Sequence, residues 1–378
     1  MMEVESLQKK RMKGLLLSAY DAGSHKYWRQ GLVSGLNEID WTVLTLPARY
    51  FSWRIRGNPI SFIEQYSNEL SQEYDFIIAT SVVDLATLRG LIPSLAVIPA
   101  LVYFHENQFE YPQSKLQKSN LEAQMVNLYS AMAADLIVFN SDYNRSSFLS
   151  GCEVLMKKLP DFTLKNISAR LLQKSSIIPV PITDSLFKLA PQVPLTDSPI
   201  KILWNHRWEY DKGPDRLLLF LVALSARKVS FEINIVGEGF RTIPAEFEQI
   251  KQQFSQQVKA FGYIASVEDY FKLLSECDIV LSTAIHEFQG VAVMEALAAG
   301  CMPLVPDRLS YKEFIDSAFR YQSDINCPEN EADYAVDTLL AIRAGKLPEP
   351  RLSESLKQYS WSELIVLYRK TIQHLVQV

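Results

Sequence analysis

The sequence predicts an α/β protein of two doubly wound parallel-sheet domains, and three observations predict it. Short apolar runs rich in Val, Ile and Leu recur with helical stretches between them, as suits strands covered on both faces. The alternation passes through twice, with a proline-bearing stretch, IPVPITDSLFKLAPQVPLTDSP, between the two rounds. A length of 378 residues suits about two domains, each large enough to enclose its own core.

The first round opens with the strand KGLLLSAY, followed by the turn DAGSH and a helix through about Leu36. WTVLTLPA, FIIATSVV, PALVYFHE and ADLIVFNS follow as strands separated by helices. The second round begins at IKILWNHRW and continues with FEINIVGEG, VKAFGYI, DIVLSTA and CMPLVPD. Residues 178–199 hold five prolines without periodicity and read as an interdomain linker. The closing YSWSELIVLYRKTIQHLVQV reads as an amphipathic helix. The expected domains are residues 12–185, completed by a C-terminal helix over 358–378, and residues 198–357.

Composition excludes several classes. No apolar run approaches the ~18–20 residues that a bilayer-spanning helix requires. The opening MMEVESLQKKRMKGLLLSAY is charged and then too briefly apolar for a signal peptide, so a cytosolic protein is expected. The four cysteines show no C-x-x-C spacing and read as buried free thiols. A net charge of −5 argues against a generally basic nucleic-acid binder. Residues 1–190 carry 19 Lys+Arg against 18 Asp+Glu, and residues 191–378 carry 19 against 25, so a polyanion favours the first half.

Ligands of open parallel sheets bind beyond the carboxyl ends of the strands. Four of the five histidines stand there: His25, His105, His206 and His286. A lone histidine is usually structural; four in equivalent places point to a functional crevice. In HEFQGVAVMEALAAG, Gly290 is expected to start a helix, leaving Glu287 in the loop and Glu295 inside. The amides around Phe288, Gln289, Gly290, Val291 and Ala292 then offer helix-start donors for a phosphate. Glu295 can accept from both hydroxyls of a ribose, or else reach solvent or a buried base. Arg207 and Lys212, in NHRWEYDKG, supply cations for a diphosphate leaving group. Gly23, followed by Ser24 in DAGSH, permits close backbone approach in the first domain. VGEGFRT has Thr242 where a dinucleotide fingerprint needs its last glycine, and no P-loop motif occurs. No D-x-D pair is present, so no metal or other cofactor is expected, with Arg207 and Lys212 taking the metal's place.

R-x4-K (Arg207, Lys212), E-x7-E (Glu287, Glu295) and FGYIASVEDYFKLLSECDIVLSTAIHEFQG together resemble the retaining nucleotide-sugar glycosyltransferases of the GT-B type. That resemblance covers nearly the whole chain. It implies two Rossmann-like domains facing across a cleft, with a last helix crossing back to the first. It assigns Gly262, Tyr263 and Ile264 to the base, Arg207 and Lys212 to the diphosphate, Glu295 to the ribose and Glu287 to the sugar. His105 corresponds to the histidine that lines the donor sugar. AGSHK, LPARYFSWRIRG, YFHENQFEYP, FNSDYNRSSFL, WNHRWEYDKGPD and HEFQGVAVMEA resemble, more narrowly, the tRNA-queuosine mannosyltransferases. These imply transfer of mannose from GDP-mannose to queuosine in tRNA(Asp). One departure from the generic pattern is His206, where a glycine commonly precedes the arginine.

The residues themselves permit a tRNA acceptor. From Trp41 to Ile63 there is no acid, and RYFSWRIR interleaves Arg49, Arg54 and Arg56 with Tyr50, Phe51 and Trp53. Cations for phosphates and aromatic faces for unstacked bases are what single-stranded RNA requires; a solvated surface with its aromatics turned inward is the other reading. A second acid-free stretch carries Lys165, Arg170 and Lys174, and Asn107 and Gln108 of YFHENQ complete the expected acceptor side. The expected chemistry is a front-face retaining transfer with His105, Glu287, Arg207 and Lys212 as its catalytic set. No membrane and no obligate protein partner are expected. The rival readings are a glycosyltransferase with a lipid or polysaccharide acceptor at the inner membrane face, and a binding protein without catalysis.

Overall fold

From Lys13 the chain lays down two parallel sheets in succession, each with its own apolar core. The computed structural model describes residues 11–110, 121–189, 199–239, 243–347 and 355–377. Residues 1–10 of the N-terminal stretch read against a signal peptide, residues 190–198 of the expected linker and Phe240–Thr242 of VGEGFRT lie outside the described residues. The chain divides into two compact units, Met1–Pro179 with Leu364–Val378, and Val180–Glu363.

In the first unit the strands are β1 (Lys13–Ser18), β2 (Asp40–Thr45), β3 (Phe76–Thr80), β4 (Ala100–Phe104), β5 (Leu136–Phe139) and β6 (Ser175–Ile177). They run in the order β2-β1-β3-β4-β5-β6, all parallel. Every residue of β3 and β4 is buried, which explains their unbroken apolar sequences. The chain winds outward in opposite directions from β1, so the switch point lies between β1 and β3.

The second unit repeats the plan with β7 (Ile200–Trp204), β8 (Phe231–Val236), β9 (Val258–Gly262), β10 (Ile279–Leu281), β11 (Met302–Pro306) and β12 (Arg320–Tyr321). Their order is β12-β11-β10-β7-β8-β9, again parallel, with the switch point between β7 and β10. Two strands went unread in the sequence, β6 and β12. At three and two residues, each at a sheet edge, they are too short to show a period.

The linker reading needs correction. Val180, Ile182 and Leu186 are buried, and Ile182 and Leu186 belong to the second unit's core. Ile182 bonds through its amide to Tyr359 and through its carbonyl to Trp361. Prolines suppress the periodicity here, while alternate apolar residues still point inward. Cys152, Cys277 and Cys301 are free and buried; Cys327 is free but only half-buried. No helix of the described residues is long and apolar enough to cross a membrane.

The helix Trp361–Leu375 returns to the first unit from Leu364 onward. Its anchor is Tyr368, 4 % exposed, whose hydroxyl accepts from Trp28 Nε1 at 2.9 Å and lies 2.9 Å from the Pro179 carbonyl oxygen. Trp28 stacks on Tyr103, and both rings meet His105 edge-on. Replacing Tyr368 with Phe leaves the fully buried Trp28 N–H without its acceptor. We expect a loss of about 2 kcal/mol in denaturant unfolding; an unchanged midpoint would show that this hydroxyl does not anchor the helix.

Candidate active site

Beyond the carboxyl ends of β7 and β10, two loops are stitched together around one ammonium group. Lys212 lies in a single 3-10 turn, Tyr210–Lys212, that closes on Gly213. Gly213 has φ +67, and a Cβ there would meet the Thr283 carbonyl oxygen at 2.2 Å, so only glycine lets the two loops approach this closely. The amides of Ile285 and His286 both donate to the Asp211 carbonyl, and Thr283 Oγ1 donates to that of Lys212. Trp204 Nε1, from β7, donates to the same Thr283 hydroxyl at 2.9 Å.

Lys212 is thereby buried, with its Nζ 3.1 Å from Glu287 Oε2, 3.3 Å from Asp211 Oδ2 and 2.9 Å from the His286 carbonyl oxygen. Burial pulls its pKa down, but Glu287 and Asp211 outweigh that and raise it. Burial likewise pushes Glu287 up; Lys212 and the nearby imidazoles more than offset this and hold the carboxyl at about 2. The ion pair is therefore charged at neutral pH. His206 and His286 are lowered to about 4 by burial and by Lys212, so both imidazoles are neutral there. Arg207 is close enough to repel Lys212, yet it remains partly exposed and pairs with Glu209 at 3.1 Å.

The helix Val291–Ala298 starts where the sequence places it, with Gly290 at φ +82 as its uncapped N-cap. Glu295 sits inside it, and Tyr270 donates to its Oε2 at 3.2 Å. Asn205 in turn donates from Nδ2 to the Tyr270 hydroxyl and to the Ala292 carbonyl. Burial raises Glu295 to about 7, against only a partial offset from Tyr270. A cavity of about 250 Å³ opens beside this chain, lined by Asn205, Gly237, Tyr263, Ile264, Ala265 and Tyr270 among others. Gly262, with φ +117, precedes the lining residues Tyr263 and Ile264 in the chain, and Tyr263 is exposed. The expected base, ribose and diphosphate residues thus come together in one unit. Asn205 and Tyr270 were not singled out; their pairing across β7 and the helix before β10 is long-range.

One donor assignment changes in detail: the Phe288 amide is already engaged by Glu287 Oε1 at 3.1 Å. The Gln289 side chain faces Val180, accepting from its amide and donating to its carbonyl, and so ties the loop down. Among the described residues no group of three or more His, Cys, Asp or Glu is arranged to hold a metal.

The first unit has its own cluster at the strand ends. The rings of His25 and His105 stack with centroids 4.1 Å apart, and His25 Nε2 lies 2.9 Å from Glu106 Oε2. Ser81 donates to the other oxygen of Glu106. Burial, then the neighbouring His25, lowers His105 well below the usual imidazole range, so it is neutral. Its Nε2 is shielded and has no partner among the described residues. DAGSH is less of a turn than expected: the helix Gly23–Gly35 begins at Gly23, leaving Gly23 and Ser24 exposed on its uncapped first turn.

Several expected acceptor residues move. Asn107 is fully buried; its Nδ2 bonds Asn144 and Ser147 and its Oδ1 accepts from Phe109 and Glu110, so it builds the loop instead of facing outward. Gln108 is buried as well, its amide held by Asn127. Lys174 caps the carbonyls of Met132 and Ala134. Lys165 and Arg170 are exposed. Arg49 and Trp53 are exposed, Arg56 pairs with Asp84 at 2.6 Å, and Arg54 is buried.

Two doubly wound units carrying R-x4-K and E-x7-E on adjoining loops define a glycosyltransferase of the GT-B fold. A model of glycosyl transferases group 1 matches residues 188–358, and a model of the tRNA-queuosine alpha-mannosyltransferase N-terminal region matches residues 13–182. Sucrose-phosphate synthase from Thermosynechococcus elongatus shares the fold at TM-score 0.67 and 16% identity, over 97% of this chain and 99% of that one. Anabaena HepE, solved with UDP, does so at TM-score 0.64 and 14% identity, over 96% and 100%. A tRNA-queuosine alpha-mannosyltransferase of Drosophila melanogaster is 35% identical over 306 residues, 79% of this chain and 80% of the fly protein. The chain belongs to the tRNA-queuosine alpha-mannosyltransferase family.

Two outcomes follow from the charges. Lys212→Met strands Glu287 and Asp211 and is expected to destabilise the fold by about 3 kcal/mol in urea unfolding, with a small loss contradicting the buried pair. Glu295 is raised in the folded protein from its ordinary 4.5 to about 7, so its stabilising proton is present below 4.5 and lost as pH rises through 7. Glu295→Gln should flatten the fall in melting temperature across that window; an unchanged profile would place the titration elsewhere.

Proposed function

We propose that the protein transfers mannose from GDP-mannose to queuosine in tRNA(Asp), with retention of configuration and without a metal. The observation that carries this is the joining, within one unit, of the Lys212–Glu287 pair, the helix start at Gly290, Glu295 and the cavity beside Tyr263. A guanine in the cavity brings its ribose to Glu295 through the Tyr270 link, and the diphosphate reaches the helix-start amides of Gly290 and Val291. Family membership supports the mannose donor and the queuosine-bearing acceptor.

Charge dictates the order of events. Around the ammonium stand Asp211, Glu287 and, a little further out, Glu209 with Arg207, so the cations are matched by acids before a ligand arrives. We assign Arg207, the half-exposed member, to exchange Glu209 for a phosphate when the donor binds. Glu209 is already raised by burial, which lowers what that exchange costs. Lys212 stays in place, and Glu287, fixed by it through Oε2 and by the Phe288 amide through Oε1, offers the second lone pair of Oε1 to a mannose hydroxyl.

As the bond from C1 to the phosphate oxygen lengthens, negative charge grows on the diphosphate, where Arg207 and Lys212 stabilise it. The acceptor hydroxyl attacks C1 from the same face and yields its proton to the departing phosphate oxygen. GDP leaves protonated and the new glycosidic bond carries the original configuration. His105, neutral at working pH, is assigned to the sugar and the acceptor side as a hydrogen-bonding group.

Incubation with GDP-mannose and tRNA bearing or lacking queuosine, followed by mass analysis of the nucleosides, tests this directly. One hexose on queuosine alone is expected; label on the lacking tRNA, or none on either, overturns the proposal. Arg207→Ala should lower turnover about a hundredfold, and a near wild-type rate would remove Arg207 from the mechanism.

A further inference from the structure

The segment RYFSWRIRG forms the start of the helix Phe51–Leu70, and its arginines are not equivalent there. Arg56 has Asp84 as partner. Arg54 is 6 % exposed, its Nε is shielded without a hydrogen-bond partner, and among the described residues no carboxylate raises its pKa. Burial and the like charge of Arg49 both lower it. A guanidinium cannot escape by losing its proton, so one whose Nε is cut off from water beside a second cation gains from an arriving anion.

The surroundings fit an anion joined to an aromatic ligand. Helical side chains lean toward the N-terminus, and Arg54 lies near enough to Arg49 to feel its charge; the amides of Trp53 and Arg54 bond the Tyr50 carbonyl, which leaves those of Phe51 and Ser52 without a side-chain cap. Tyr50 holds a left-handed φ of 55 to start the helix there, an uncommon conformation for a tyrosine. Trp53 is 55 % exposed, and its indole rests against the helix at Gly57, where a Cβ would lie 2.3 Å from the ring. The helix itself is firmly set. Pro59 removes the amide that the Ile55 carbonyl needs, and Asn58 Nδ2 bonds that carbonyl instead, along with those of Arg54 and Val82.

We propose that Arg49 and Arg54, with the first amides of this helix, hold a backbone phosphate of single-stranded RNA while an adjoining base stacks on Trp53. The inference rests on the tRNA acceptor reading and assigns a place to it. Phosphate contacts lose bound counterions on complex formation, whereas stacking does not, so the two halves of the site separate by salt dependence.

The test measures binding of the anticodon stem-loop RNA to the full chain across a salt series. Arg54→Gln and, at an exposed position, Arg49→Gln should each weaken binding about tenfold and reduce the slope of log affinity against log salt by about 0.7. Trp53→Ala should weaken it about tenfold with the slope unchanged. The KM for GDP-mannose should not move in any of the three, and Arg54→Gln should melt no lower than wild type. A wild-type slope in both arginine variants, a raised KM for GDP-mannose, or a lowered melting temperature in Arg54→Gln overturns the inference. If wild-type protein transfers mannose while the variants bind RNA normally, this inference alone falls. If wild-type protein neither binds the stem-loop nor modifies queuosine-bearing tRNA, the acceptor reading falls and takes the inference with it.

Discussion

The second unit's site depends on keeping one ammonium charged in the interior. Lys212 is buried, so the protein supplies two carboxylates and a carbonyl where solvent would otherwise serve. That requirement fixes much else. The loop after β7 and the loop after β10 must meet, which demands glycine at 213 and the shared hydroxyl of Thr283. Once they meet, Glu287 is ionised and oriented, and the helix carrying Glu295 starts at a defined point beside it.

Two carboxylates eight residues apart consequently have opposite chemistry. Glu287 lies near a cation and is held at about 2; Glu295 is buried without one and is raised to about 7. One is a permanent anion that completes the charge balance of the site. The other is a poised group, linked through Tyr270 and Asn205 to the wall of the cavity, and suited to accepting hydroxyls when ionised. The same contrast recurs among the cations. Lys212 has its counterions built in, whereas Arg54 in the first unit has none among the described residues.

The first unit organises neutral rather than charged groups. His105 is enclosed by His25, Trp28 and Tyr103, and Tyr368 of the returning C-terminal helix anchors Trp28 and Tyr103 from behind. Aromatic packing sets the position of this imidazole, and burial keeps it unprotonated. Through Trp28 and Tyr103, a residue more than 260 positions downstream bears on its orientation.

Ten of the twelve strands among the described residues were legible in the sequence, because a strand buried on both faces must be apolar throughout and helices must separate parallel neighbours. R-x4-K, E-x7-E and the glycine at 290 were legible for a related reason: they sit at loop positions that the strand pattern already locates. Pairing was not. That Lys212 would face Glu287 and Asp211, that Asn205 would join Tyr270 to Glu295, and that Asn107 would turn inward depend on contacts between segments far apart in the chain. Arg54 and Arg56 make the point within three residues: composition made them alike, and the helix turned one inward and the other outward. Local sequence decides which elements form and which groups stand at their ends; burial and the partner of each charge are properties of the packed chain.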